Sequence, residues 1–140
     1  MSYKCWRILI AEEQYIRCRN IEKSLNELGY RAFTLTTSLQ ELLALTHYSS
    51  EPPEHFDLMI INGELLATSG IDPVRFFQRN SQIRHGVIHD SRRGLPKAET
   101  IYANHRRQLS LIRTLDRQTL GMLLEPLDVW EISAKTCDVS

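Results

Sequence analysis

An α/β fold, with a doubly wound parallel sheet of five strands and helices on both faces, is the architecture this sequence predicts. Two features carry the prediction. Short apolar runs bounded by turn residues recur along the chain, and most are followed by a stretch whose apolar residues fall three or four apart. Strands that alternate with helices in this way imply a parallel sheet. The 140-residue length suits one compact domain, able to bury about two-thirds of its unfolded surface with no disulfide or metal staple.

"CWRILIA" (Cys5–Ala11) is the first strand, apolar enough to be buried on both sides. A helix follows over about Gln14 to Leu28, with Ile21, Leu25 and Leu28 on one face and Gly29 at its C-cap. "YRAFTL" (Tyr30–Leu35) is the second strand. Ser38 with Glu41 three residues on is a capping-box pattern, and the helix it opens carries Leu39, Leu42, Leu43 and Leu45. "SSEPPE" (Ser49–Glu54) is a loop. "FDLMIINGELL" (Phe56–Leu66) holds the third strand, which stops at Asn62-Gly63. Asp72-Pro73 reads as an N-cap and first-turn proline for a short helix with Val74, Phe76 and Phe77.

"GVIHDS" (Gly86–Ser91) is the fourth strand and the least apolar. From about Pro96 to Thr119, Ala98, Ile101, His105, Leu109, Ile112 and Leu115 recur at intervals of three or four, which predicts one long amphipathic helix. "LGMLLEP" (Leu120–Pro126) is the fifth strand. A short last helix would follow, with Val129, Trp130 and Ile132 packing near its start.

Formal net charge is zero, so global electrostatics point to neither nucleic acid nor membrane. The three cysteines, Cys5, Cys18 and Cys137, fit no metal spacing and read as free thiols of a reducing compartment. "MSYKCWRILIAEE" has only a brief apolar run, so no signal peptide or membrane span is expected, and the protein reads as cytoplasmic. His85 and His89 flank the fourth strand without a third metal-like partner and are assigned no catalytic role.

Reaction sites in parallel sheets lie beyond the carboxyl ends of the strands. On this reading those ends carry Glu12 and Glu13, Asn62, Ser91 and Glu125. From about Trp6 to Leu127, this arrangement resembles the response-regulator receiver domain of two-component signalling. "RILIAEEQYIRCRNIEKSLNELGYRAFTL", "FDLMIINGELL", "GVIHDS" and "LLEPLD" carry the resemblance. It implies a flavodoxin-like, CheY-like sheet of order 2-1-3-4-5 and a place in phosphorelay signal transduction. In that family two acids hold Mg²⁺, an Asp takes the phosphoryl group, a Ser or Thr and a Lys bind its oxygens, and an aromatic ring reports occupancy. Carried over, the matching positions here are Glu12 and Glu13, Asn62, Ser91, Glu125 and Met122.

Three of these depart from the pattern. The Asn62 amide is a poor nucleophile and offers a single oxygen. Glu125 puts an anion where a phosphoryl group needs a cation. Met122 replaces the reporting ring with a flexible apolar filler. The implied protein is a degenerate pseudo-receiver, not an enzyme, acting by protein–protein contact or dimerisation. Its partner would be a signalling protein, an effector domain in the same chain or a second copy. The regulatory domain of a transcription factor and a ligand- or metal-binding domain using the acidic pocket remain alternatives. Glu12, Glu13 and Glu125 would converge without a lysine. A divalent cation, Arg92 or Arg93, or one Glu bonding as a neutral acid could answer that, with the arginines favoured and Mg²⁺ not expected.

Residues 1–140 read as one domain with an elongated fourth-helix region at about 92–119, and a further domain after Ser140 is open. Arg92, Arg93, Arg106, Arg107, Arg113 and Arg117 make that region basic and the candidate partner-binding surface. Nucleic acid is not favoured there, because Tyr102 is the only interleaved aromatic residue.

Overall fold

The computed structural model describes residues 4–46, 55–90, 98–104, 106–113 and 115–132. Its elements are β1 (Lys4–Ala11), α1 (Tyr15–Glu27), β2 (Tyr30–Thr36), α2 (Leu39–Thr46), β3 (Phe56–Asn62), α3 (Gly63–Ala67), α4 (Pro73–Arg79), β4 (Ile83–His89), β5 (Ala98–Ala103), β6 (Gln108–Ile112) and α5 (Arg117–Ile132). Local chemistry explains the early boundaries. Gly29 takes a φ of 103°, a left-handed value that ends α1 at no steric cost. The Glu41 amide donates to Ser38 Oγ at 3.1 Å, and the Val74 amide donates to Asp72 Oδ1 at 3.3 Å, so both expected N-caps form.

The strands form one six-stranded sheet of order β2-β1-β3-β4-β6-β5. All neighbours are parallel except β5 and β6, which pair antiparallel. Side chains alternate across the sheet with a period of two. Ile8, Ile10, Leu58, Ile60, Val87 and Ile112 face α1 and α5, where Cys18, Leu25, Leu120 and Leu124 cover them. Leu9, Met59, Ile61, Ile88 and Leu109 face α2, α3 and α4, where Leu42, Leu66, Phe76 and Phe77 cover them. The sheet therefore has a core on each face, as the continuous apolar strands require.

The second half departs from the sequence reading in three ways. The sheet has six strands and is mixed, rather than five and wholly parallel. The long helix expected from about Pro96 to Thr119 is not found among its described residues, where β5 and β6 stand and α5 begins at Arg117. The stretch Leu120–Pro126 is not a strand but the middle of α5, which carries Pro126 internally. The cause lies in two missed caps. Asn104 Oδ1 accepts from the amides of Arg106 and Arg107, each at 2.9 Å, folding a tight turn between β5 and β6. Asp116 Oδ1 accepts from the Thr119 amide at 2.6 Å and starts α5. Leu120, Leu124 and Leu127 then fall on one helical face, the first two buried against α1 and the sheet.

Two residues lock β6 beside β4. A Cβ on Gly86 would lie 2.6 Å from Leu109 Cδ1 and 3.2 Å from the Phe77 ring, so only glycine lets these side chains meet over β4. Arg107 reaches across the end of the sheet. Its guanidinium donates to the carbonyls of Phe77 at 2.6 Å, Asn80 at 3.1 Å and Ile83 at 2.9 Å. It also lies 4.0 Å from the centre of the Phe77 ring. The loop it grips is itself tied, since Asn80 Nδ2 donates to the Phe76 carbonyl at 2.7 Å.

His85 sits inside this region, 1% exposed, and its ring centre is 5.8 Å from that of Trp6. The Gln108 amide donates to its Nδ1 at 3.2 Å. Burial first, and the Arg84 charge second, push the imidazole pKa down to about 4. No helix among the described residues is long and apolar enough to cross a membrane.

Two measurements check this account. Arg107→Ala removes a donor from each of three carbonyls, of which those of Phe77 and Asn80 keep a backbone donor, and is expected to cost about 2–3 kcal/mol in urea unfolding. Arg107→Lys should recover little, because an ammonium lacks the planar fork. The native state resists a proton on His85 that the unfolded chain accepts below its ordinary value near 6.5. The stabilisation is therefore complete above that pH and is lost as pH falls toward 4, up to ~3 kcal/mol. His85→Gln should flatten this part of the pH–stability curve.

Candidate functional site

Four strands deliver their last side chains to one edge. The register sets Ala11 beside Ile61, Asn62 beside His89, and His89 beside Ile112. The chain leaving β1, β3, β4 and β6 therefore gathers Glu12, Asn62, His89 and Arg113 at the carboxyl end of the sheet.

Glu12 is the centre of this group and is 1% exposed. Its Oε1 accepts from Asn62 Nδ2 at 3.2 Å and from the Gln14 amide at 3.4 Å, with the Arg17 guanidinium 4.0 Å away. Its Oε2 is buried and has no hydrogen-bond partner among the described residues. Asn62 is engaged at both ends of its amide. While Nδ2 donates to Glu12, Oδ1 accepts from the Glu64 amide at 3.0 Å and caps α3. A carboxylate at position 62 could keep the cap but could not donate to Glu12.

A cavity of about 260 Å³ lies against this cluster, lined by Glu12, Arg17, Asn20, Ser24, His89 and Arg113. Ile21 and Leu115 supply apolar wall. His89 Nδ1 is buried and, like Glu12 Oε2, lacks a hydrogen-bond partner among the described residues. Beneath the cluster the Cys18 thiol approaches the Glu12 and Thr36 carbonyls at 3.4 and 3.8 Å. Burial, then the Glu12 charge, push its pKa up, which makes it a packed thiol rather than a nucleophile. A larger cleft of about 400 Å³ lies between α2 and α4, lined by residues such as Leu43, Ile71 and Phe76, and holds no comparable buried orphan atom.

The structure separates the predicted acidic pocket. Glu12 points inward, whereas Glu13 is exposed. Glu125 and Met122 are exposed on α5, Met122 by 68%, and belong to no strand end. The residues after Glu125, Pro126 and Leu127, border a cavity with His85, Asn104 and Gln108, toward the amino ends of β4 and β6. The three glutamates therefore do not converge. On the side of β4 away from β3 the parallel neighbour is β6, so the residue beyond that strand's end is the cation Arg113. Ser91, Arg92 and Arg93 lie outside the described residues. Among the described residues no three His, Cys, Asp or Glu side chains are grouped to hold a metal ion.

The predicted basic helix is also dispersed. Arg106 is exposed in the β5–β6 turn, and Arg107 is the clamp on the α4–β4 loop. Arg113 lines the strand-end cavity. Arg117 opens α5 and pairs with Glu27 at 3.3 Å on the surface, a contact worth little. The sequence places Arg113 on a basic helix and gives His89 no role, whereas the structure brings both to the strand-end cavity. The alternation of polar and apolar residues in "QLSL" (Gln108–Leu111) is the signal that marks a strand there.

No protein-family model matches the chain, and no curated protein matches it. Solved structures do share its fold. One is the N-terminal domain of a response regulator/sensory box/GGDEF 3-domain protein from Carboxydothermus hydrogenoformans. It aligns with a TM-score of 0.60 at 18% identity, over 92% of this chain and 99% of that one. Another is a yeast Spc42 trimeric coiled-coil, amino acids 181–211, fused to another structure. It aligns with a TM-score of 0.57 at 19% identity, over 99% of this chain and 88% of that one. The chain thus has an α/β fold like that of a response-regulator domain, and at these identities the likeness is one of fold.

Asn62→Asp tests the geometry of the cluster. It places a second carboxylate 3.2 Å from Glu12 Oε1 and is expected to lower stability at pH 7 by about 1–3 kcal/mol. The difference from the parent should shrink as acid protonates either group. It should also shrink in the Glu12→Gln background, read by urea unfolding across the double-mutant cycle.

Proposed function

We propose that this chain is a receiver-like signalling domain that works without phosphoryl transfer, by contact with a signalling partner, an effector domain in the same chain or a second copy of itself. The observation that carries the reading is Asn62. It stands at the end of β3, the central strand position from which a receiver presents its acceptor Asp, and both ends of its amide are committed to structure. An amide cannot form an acyl phosphate. The site otherwise retains receiver-like chemistry, with Glu12 beside it and the cation Arg113 beyond β6. Three residues before Arg113, the spacing at which a mobile ring would report occupancy, stands the small buried Ser110. In this reading the domain is not an enzyme and takes no cofactor.

The likeness in fold to a response-regulator domain supports the signalling theme. The contact surface in this reading is the β5 edge of the sheet. Among the described residues β5 pairs only with β6, so its outer backbone groups are available to add a strand. Exposed Arg106 flanks that edge.

Incubation with acetyl phosphate and Mg²⁺ is expected to leave the intact mass unchanged, and beryllium fluoride with Mg²⁺ to leave the backbone NMR spectrum unchanged. A covalent phosphoryl group on the protein would overturn the reading.

A further inference from the structure

Glu12 Oε2 and His89 Nδ1 are the feature of the strand-end cavity that the signalling reading leaves unused. Both atoms are buried, both lack a partner among the described residues, and both belong to residues that line the same cavity of about 260 Å³. Buried polar atoms in native proteins are nearly always satisfied, so two orphans on one cavity call for a group that supplies the missing bonds. Glu12 already spends Oε1 on the Asn62 amide and the Gln14 backbone. What Oε2 requires is a donor, and a positively charged one answers a carboxylate best. A neutral His89 imidazole can accept from the same group.

The cavity is not purely a cation site. Arg17, 53% exposed, and Arg113, also exposed, line it as well. Two guanidinium groups repel a bare dication and attract an anion. An inorganic phosphate satisfies them but sets its own charge against Glu12. A molecule with a cationic donor at one end and an anion at the other satisfies both halves. The volume falls below the range of about 300–1,000 Å³ typical of drug-sized pockets, which limits the occupant to a small metabolite. Asn20 and Ser24 on α1 add neutral polar groups to the wall.

We infer that the strand-end cavity binds a small zwitterion of the amino-acid class. Its ammonium meets Glu12 Oε2 and His89 Nδ1, and its carboxylate lies toward Arg17 and Arg113. Binding there acts on the ends of β1, β4 and β6 and would give the domain a chemical input in place of a phosphoryl group. The inference goes beyond the signalling reading, and its test involves neither phosphorylation nor a protein partner, so the two fail separately.

The test uses the full chain in thermal-shift and calorimetric titrations with each of the proteinogenic amino acids alone. Butylamine, acetate, inorganic phosphate and Mg²⁺ serve as single-charge probes. At least one amino acid is expected to raise Tm by several degrees and to bind with a micromolar to millimolar Kd. Glu12→Gln keeps the side-chain shape and should weaken that binding at least about tenfold. Arg113→Ala, at an exposed position, should weaken it severalfold and keeps the test decisive should Glu12→Gln not fold. Glu99→Gln, on exposed β5, should leave it unchanged. The inference is overturned by a flat response to every amino acid at high millimolar concentration. It is equally overturned by butylamine, phosphate or Mg²⁺ alone reproducing the response, or by binding that neither Glu12→Gln nor Arg113→Ala weakens.

Discussion

Three backbone carbonyls, those of Phe77, Asn80 and Ile83, converge on a single guanidinium, that of Arg107. The loop they belong to joins α4 to β4, and Arg107 belongs to the residues that lead into β6. The bond set therefore fixes the start of one parallel strand against the start of its neighbour. Register does the rest. Once His85 stands beside Gln108, His89 stands beside Ile112, and Arg113 emerges where the Glu12 cavity lies. A clamp at the amino end of the sheet thus decides which side chains meet at the carboxyl end. The arrangement suits arginine, because Nε and Nη2 of a rigid planar fork meet the Ile83 carbonyl together while Nη2 also reaches its neighbours, a fixed geometry an ammonium lacks.

The same economy of polar groups governs the strand ends. Every buried backbone donor and acceptor in a two-sided sheet needs a partner. Asn62 meets that need for the first turn of α3 while holding Glu12 in place with its other atom. An acid at that position would be free to react but would face Glu12 as a like charge. The amide exchanges reactivity for a fixed, neutral link between β1 and β3. One oxygen of Glu12 is left over, and that surplus is what gives the cavity its chemical character.

Much of this was legible in the sequence where local signals agreed with one another. Through Arg79 the apolar runs, the Gly29 stop and the Ser38 and Asp72 caps all pointed to the same elements, and the structure has them there, with the short α3 capped by Asn62 as an addition. Beyond Gly86 the signals conflicted. Ile101, Leu109 and Ile112 satisfy a helical spacing by coincidence, while Thr100, Ile101 and Tyr102 favour a strand. Asn104 resolved the conflict through a turn whose strength depends on Arg107 finding carbonyls 24 to 30 residues away. No local pattern shows such a partner. Pro126 misled in a similar way, since a proline usually ends an element, yet here it rides within α5. At the site, the oddity of Asn62 could be read directly. Its bond to Glu12, 50 residues away, could not.

The sheet order has a further consequence for how the chain is assembled from parts. The series β2-β1-β3-β4-β6 is by itself a complete five-stranded parallel sheet, and β5 lies outside it. The core on either face draws on β6 and owes no fully buried side chain to β5. Strand β5 is thus a graft within a crossover, detachable in principle from the sheet it borders. The turn that joins graft to stock is not detachable, because Arg107 sits in it.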